Sequence, residues 1–223
     1  MNQQKALQFN EVGVRVFLNF KGTSTYENVV KYSITSNTYR SFWRIDNSKP
    51  GAKKIVDDYL TLNKSNIVCK LKSMSNEKEL DDFSHLHCEA IRKLLGQMIR
   101  LDAKLDSYNK TRKLVDLFVE HLVALCSELE NYKSILVPIL FIPLDSQILR
   151  DIDLFNLTER KAFGIKNSSS FACVDQKEKY NKLQSFLKSK AIDLKISHRI
   201  YLDLAWNNRY LSTGENLLIL HNN

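Results

Sequence analysis

The chain has 223 residues, 43% of them hydrophobic and 26% charged, with only 6 Gly and 3 Pro. That balance excludes a disordered chain and a loop-rich β protein, and it suits one large domain or a small domain joined to a larger one. The formal net charge of +8 favours polyanionic partners, nucleic acid or an anionic surface, without separating them.

Four cysteines, Cys69, Cys88, Cys126 and Cys173, lie far apart and form no C-x-x-C pair. The N-terminal Met-Asn-Gln-Gln-Lys is not followed by an apolar core of the kind a secretion signal carries. No apolar run approaches the ~18 residues of a spanning helix. These features read as a reduced cytoplasmic protein with free thiols and no membrane partner.

In chain order, residues 11–45 read as strands. Val12, Val14, Val16, Leu18 and Phe20 alternate with Gly13, Arg15, Phe17 and Asn19, the period of a half-buried strand. Val29, Val30, Tyr32 and Ile34, then Phe42 and Trp43, extend this into a small antiparallel sheet. Tyr32, Tyr39, Phe42 and Trp43, with Arg40 and Arg44 among them, are either a base-stacking surface or ordinary core aromatics. The turn-rich 46–51 stretch marks a boundary between a β-rich element over 1–48 and a helical domain over 49–223.

Helical spacing takes over from residue 51. Ile55, Val56, Tyr59 and Leu60 form a short helix, and residues 67–71 a strand or connector. With Ser75 as its cap, a long helix follows through Leu80, Phe83, Leu86, Ile91, Leu95 and Ile99. Its His85-Leu86-His87-Cys88-Glu89 segment resembles a ligand cluster. His85 and His87 are two residues apart and point to different faces, so no metal is expected.

The next helix opens on Thr111-Arg112-Lys113, capped by Thr111 or Asn109. Lys110, Arg112 and Lys113 crowd its first turn, the wrong sign for the helix dipole. Such cations answer a phosphate or carboxylate nearby, or are simply solvated. Further on comes Ile139-Leu140-Phe141-Ile142-Pro143-Leu144-Asp145-Ser146-Gln147-Ile148-Leu149-Arg150. Pro143 ends one segment and Asp145 stands where a new helix begins, as a cap or as a catalytic carboxylate. Residues 167–170 are loop. Residues 177–194 form an amphipathic helix with Tyr180, Leu183, Phe186, Leu187, Ala191 and Leu194 inward and Lys177, Lys179, Lys182, Lys188 and Lys190 outward. The apolar 200–206 segment packs on the core, and 214–220 forms a short strand.

Three segments together carry a family resemblance: residues 143–149, Lys179-Tyr180 with Leu183, Leu187 and Ala191, and Tyr201-Leu202-Asp203-Leu204-Ala205-Trp206. Over about residues 110–207 the chain resembles 8-oxoguanine DNA glycosylases of the helix-hairpin-helix superfamily, most nearly their compact microbial branch. The resemblance implies a helix-hairpin-helix glycosylase-like bundle, so that with the small N-terminal β element read above the chain is expected to be mainly α. It implies base excision without a cofactor. A lysine opening the second hairpin helix attacks the sugar of an extruded nucleotide and forms a Schiff base, and an aspartate stabilises the cationic sugar. Lys113 is the matching lysine, with Lys110 second, and Asp145 the matching aspartate. Lys110, Arg112, Lys177, Lys179, Lys182 and Trp206 are the expected DNA contacts. The chain departs from the family in lacking glycine over 106–110 and in a longer stretch between lysine and aspartate. Two other readings stand beside the enzyme: a non-catalytic nucleic-acid-binding or accessory protein on the same scaffold, and a helical protein–protein interaction subunit.

Overall fold

The computed structural model describes residues 1, 3–34, 39, 42, 50–98 and 107–206, with the side chains of 98, 205 and 206 left aside. The protein is mainly helical. Helix α1 spans Gln3–Gly13 and runs into a π-helical turn, Val14–Asn19; α2 spans Tyr26–Ile34, α3 Ala52–Leu62, α4 Lys64–Lys72, α5 Glu77–Met98 and α6 Tyr108–Leu125. A 3-10 turn (Ser127–Tyr132), α7 (Lys133–Leu136), a second 3-10 turn (Val137–Ile139) and α8 (Ser146–Arg150) follow. Then come α9 (Leu157–Ala162), a 3-10 turn (Phe171–Cys173), α10 (Lys177–Asp193) and a final 3-10 segment (Arg199–Trp206).

No strand occurs among the described residues; the nearest feature is an isolated bridge between Ser24 and Cys126. The expected N-terminal sheet is therefore not seen, and 67–71 is helix. The alternation over 12–20 misled because a helical stripe runs through the same residues. Ala6, Phe9, Val12, Gly13, Val16 and Phe17 are the buried ones, recurring at three- and four-residue spacing. In α2 the buried set is Tyr26, Val29, Val30 and Ser33, again one face of a helix. The expected boundary at 48/49 and the strand at 214–220 lie outside the described residues. The N-terminal helices share one hydrophobic cluster with the rest, running from Ala6 to Leu204.

Helix α6 is the axis of that cluster. Helices α2, α5 and α10 pack on it, while α1 packs against the final 3-10 segment. Every residue of α6 is buried except Lys113 and Leu117. These two are four apart, so they form one narrow window on an otherwise enclosed helix. Gly13 lets α1 approach: a Cβ there would stand 2.3 Å from Tyr201 Cγ, closer than packed carbon atoms tolerate. Tyr201 in turn stacks on Phe17, ring centroids 5.8 Å apart.

The cap of α5 is Asn76 rather than Ser75: its Oδ1 accepts the Glu79 amide at 3.0 Å, and Glu79 Oε2 accepts the Ser75 amide at 2.7 Å. All four cysteines are free thiols. No helix among the described residues is long and apolar enough to cross a membrane.

Candidate active site

The first turn of α6 carries Lys110, Arg112 and Lys113, and the structure separates their fates. The helix's leading amides do not wait for a phosphate. Tyr108 N–H donates to the Asp175 carbonyl at 2.9 Å and Asn109 N–H to the Val174 carbonyl at 3.1 Å. Ser107 Oγ adds a bond to the Val174 carbonyl at 3.0 Å. The cap expected from Asn109 or Thr111 is thus made by backbone from 65 residues or more downstream.

Arg112 is fully buried. Its Nε donates to Asp116 Oδ1 at 2.8 Å and its Nη1 to Asp81 Oδ1 at 2.7 Å. The guanidinium lies between the rings of Phe141 and Tyr180, 5.0 and 4.5 Å from their centroids. Tyr180 O–H completes the cluster by donating to Asp116 Oδ2 at 2.6 Å. Lys110 is 1% exposed, with Nζ 4.5 Å from the Phe42 ring centroid. Both residues were expected as DNA contacts, and both belong to the interior. The carboxylates of Asp81 and Asp116 are what Arg112 answers against the helix dipole.

Lys113 points to the window. Its Nζ lies 3.7 Å from Asp145 Oδ2, with side chains 12% and 13% exposed. Asp145 caps α8: Oδ1 accepts the Gln147 and Ile148 amides at 2.7 and 3.0 Å. One oxygen thus fixes the carboxylate by two backbone bonds while the other faces the amine, so the cap and the lysine partner are the same residue. The Phe171 ring lies beneath the amine, its centroid 5.3 Å from Nζ. Burial lowers the Lys113 pKa, and the charges of Asp145 and Asp203 only partly restore it.

One further carboxyl, Asp203, borders this pair, and a second, Glu120, lies beyond it beside Asp203. Asp203, on the final 3-10 segment, has its pKa raised by burial and then by Asp145, against a smaller opposing pull from Lys113. Glu120, two turns along α6 from Lys113, is raised well above the ordinary range by burial, then by Asp203 and Asp116. Its Oε2 has no hydrogen-bond partner among the described residues. One amide holds the whole arrangement in register. Asn109 Nδ2 donates to the Leu144 carbonyl at 2.6 Å and to the Phe171 carbonyl at 3.1 Å. It ties the strap carrying Asp145 and the turn carrying Phe171 to the helix carrying Lys113.

The arrangement supplies a desolvated amine with a depressed pKa, a carboxylate of fixed orientation within reach, and an aromatic surface. Such an amine is a competent nucleophile toward an electrophilic carbon, and the carboxylate can stabilise positive charge that develops there.

The other expected DNA contacts are scattered. Lys177 lies 3.7 Å from Asp81, Lys179 donates to the Cys173 carbonyl at 2.6 Å, and Lys182 is exposed. The side chain of Trp206 lies outside the described residues, as do Trp43, Arg40 and Arg44. Tyr39 and Phe42 are buried together at 5.9 Å, and Tyr32 packs on His121 at 4.8 Å, which is core packing. In the histidine segment, His87 Nδ1 pairs with Tyr59 O–H at 2.7 Å and Cys88 Sγ with Thr111 Oγ1 at 3.0 Å. Asn109, Glu120 and Asp203 were not foreseen as site residues. Lys113, Asp116 and Glu120 stand at i, i+3 and i+7 of a helix otherwise mostly apolar, which was the available signal.

No family model, curated protein or solved structure matches the chain.

Proposed function

We propose that this protein is a base-excising glycosylase/lyase acting on nucleic acid, with Lys113 as the nucleophile and Asp145 as the electrostatic partner. The observation that carries the reading is the 3.7 Å Lys113–Asp145 pair at the one window of α6, with the amine's pKa lowered by burial.

In this reading an extruded nucleotide enters the window with its sugar at Lys113. The Nζ lone pair forms a bond to C1′, the C1′–base bond breaks, and its electron pair leaves with the base, which takes up a proton. Opening of the sugar ring, with a proton to its oxygen, then yields an imine between Nζ and C1′. Asp145 stabilises the positive charge on the sugar as the base departs. Because Oδ1 is already bonded to two amides, the carboxylate has little freedom to swing away, and its orientation costs no reorganisation during the step. Phe171 offers an apolar face beside the reacting carbon.

The test is reductive trapping with borohydride, using duplexes that carry damaged bases or an abasic site. The expected result is a covalent adduct that forms with the native protein and is lost in Lys113→Gln. Asp145→Asn should slow it strongly while leaving duplex binding nearly intact. Equal trapping in the native protein and both variants would overturn the assignment. Salt-sensitive binding without any adduct would favour a non-catalytic nucleic-acid-binding protein.

A further inference from the structure

A concavity of about 390 Å³ lies between α9 and the loop that follows it, lined by Arg160, Lys161, Gly164 and Lys166 among others. Arg160 is its unusual member. It is only 8% exposed, yet it bonds to neutral groups alone: Nε to the Phe155 carbonyl at 3.0 Å and Nη1 to Asn167 Oδ1 at 3.1 Å. The adjacent carboxylate is committed elsewhere. Glu159 pairs with Lys190 at 3.0 Å and accepts the Asn156 amide at 2.7 Å. A buried charge is ordinarily paired; Arg112, on α6, meets two carboxylates. Arg160 meets none among the described residues, and the two cations beside it, Lys161 and Lys166, are exposed.

The geometry around it is open and fixed. Gly164 turns the chain at φ +64°, and nothing lies within 4 Å of where its Cβ would be. The Lys166 and Ser169 amides close a small loop through Ser169 Oγ and the Lys166 carbonyl, at 2.8 and 2.9 Å. Arg150, at the end of α8, holds that loop by donating to the Ser169 carbonyl at 2.9 Å.

We propose that Arg160, with Lys161 and Lys166, forms a phosphate site that grips the phosphodiester backbone of a nucleic acid whose reacting nucleotide lies at Lys113. The proposal rests on the reading above. A guanidinium fork matches two phosphate oxygens, and the two lysines add point charges around it. Asn167 and Phe171 are four residues apart, at most ~14 Å of chain. The concavity and the Phe171 ring are therefore joined by a short stretch of chain. None of the residues expected from sequence as DNA contacts belongs to this site.

The experiment is fluorescence anisotropy of the full chain with a labelled duplex containing a tetrahydrofuran abasic analogue, titrated across a series of salt concentrations. Arg160→Gln is expected to weaken binding about tenfold and to reduce the salt slope by about one. The Lys161→Ala/Lys166→Ala variant, at exposed positions, is expected to do the same without loss of thermal stability, so it decides the matter should Arg160→Gln fold poorly. Unchanged affinity and slope in that double variant would overturn the proposal. Native protein that binds inorganic phosphate or anionic vesicles but not the duplex would also overturn it. Absence of borohydride trapping would sink the enzyme reading alone, since a slope change in these variants would still report the phosphate site.

Discussion

Arg112 and Lys113 are consecutive residues on one helix, and they lie in opposite environments. Arg112 is closed in: two carboxylates, a tyrosine hydroxyl and two aromatic faces meet its guanidinium. Lys113 stands at the only break in the burial of α6, with one carboxylate 3.7 Å away and two carboxyls nearby whose pKa values burial has raised. Arg112 has the geometry of a structural ion cluster. Lys113 has that of a desolvated charge not fully matched by its partner.

Removing each charge should separate the two. Arg112→Leu leaves Asp116 buried without its cation, and unfolding in urea should show a loss of roughly 3–5 kcal/mol. On the proposed reading, Lys113→Gln should abolish trapping while leaving the urea midpoint close to native. A large stability loss in Lys113→Gln with trapping retained would reverse the comparison.

The next effect tests how the window is built. Gly13→Ala drives a methyl into the Tyr201 ring, two residues before Asp203, and overpacking of this kind costs about 1–3 kcal/mol. Asn109→Ala leaves the Leu144 and Phe171 carbonyls without their shared donor, at about 1–3 kcal/mol. It should also slow trapping at saturating duplex, whereas Gly13→Ala should act on stability first. Trapping at the native rate in Asn109→Ala would show that Asp145 keeps its place without the amide.

Titration sharpens the contrast further. Burial lowers His87 to about 4 and His121 to about 3. The unfolded chain therefore binds more protons than the folded one below about pH 6.5, and stability should fall as pH drops toward those values. Glu120 and Asp203 are raised. Their contribution is present below the unfolded carboxyl range and is lost as pH rises through their folded values. Stability should peak where the two trends meet, and Glu120→Gln should flatten the alkaline limb, its effect beginning at the unfolded carboxyl pKa of about 4.3 and so reaching into the acid limb. Thermal melts across pH would show this, and an unaltered alkaline limb would refute it. The smallest effect is local: Lys195 adopts φ +58°, so Lys195→Gly should raise stability by up to about 1 kcal/mol in the same melts.

Much of the α framework was legible because its signals are local. The helix over Lys177–Asp193 follows from the spacing of Tyr180, Leu183, Leu187 and Ala191. Asp145 was legible as a helix start because Pro143 stops one segment and Ile148 opens another. The N-terminus misled because alternation and a helical stripe coexist in residues 12–20, and burial, which the sequence does not display, selects between them. Arg112 misled for a different reason. Asp116 is on its own helix, but Asp81 and the flanking Phe141 and Tyr180 rings come from elements up to 68 residues away, so a charge that reads as exposed is buried by tertiary packing. Asn109 was hidden likewise, since its two carbonyl partners, Leu144 and Phe171, are 35 and 62 residues distant.

The most direct test of the account is to locate the covalent adduct. After borohydride trapping on an abasic-site duplex, nuclease and protease digestion with mass spectrometry of the peptides would identify the modified lysine. A single sugar-derived adduct on Lys113, absent in Lys113→Gln, is the expected result. An adduct on Lys110, Lys179 or a spread of surface lysines, undiminished in that variant, would contradict it.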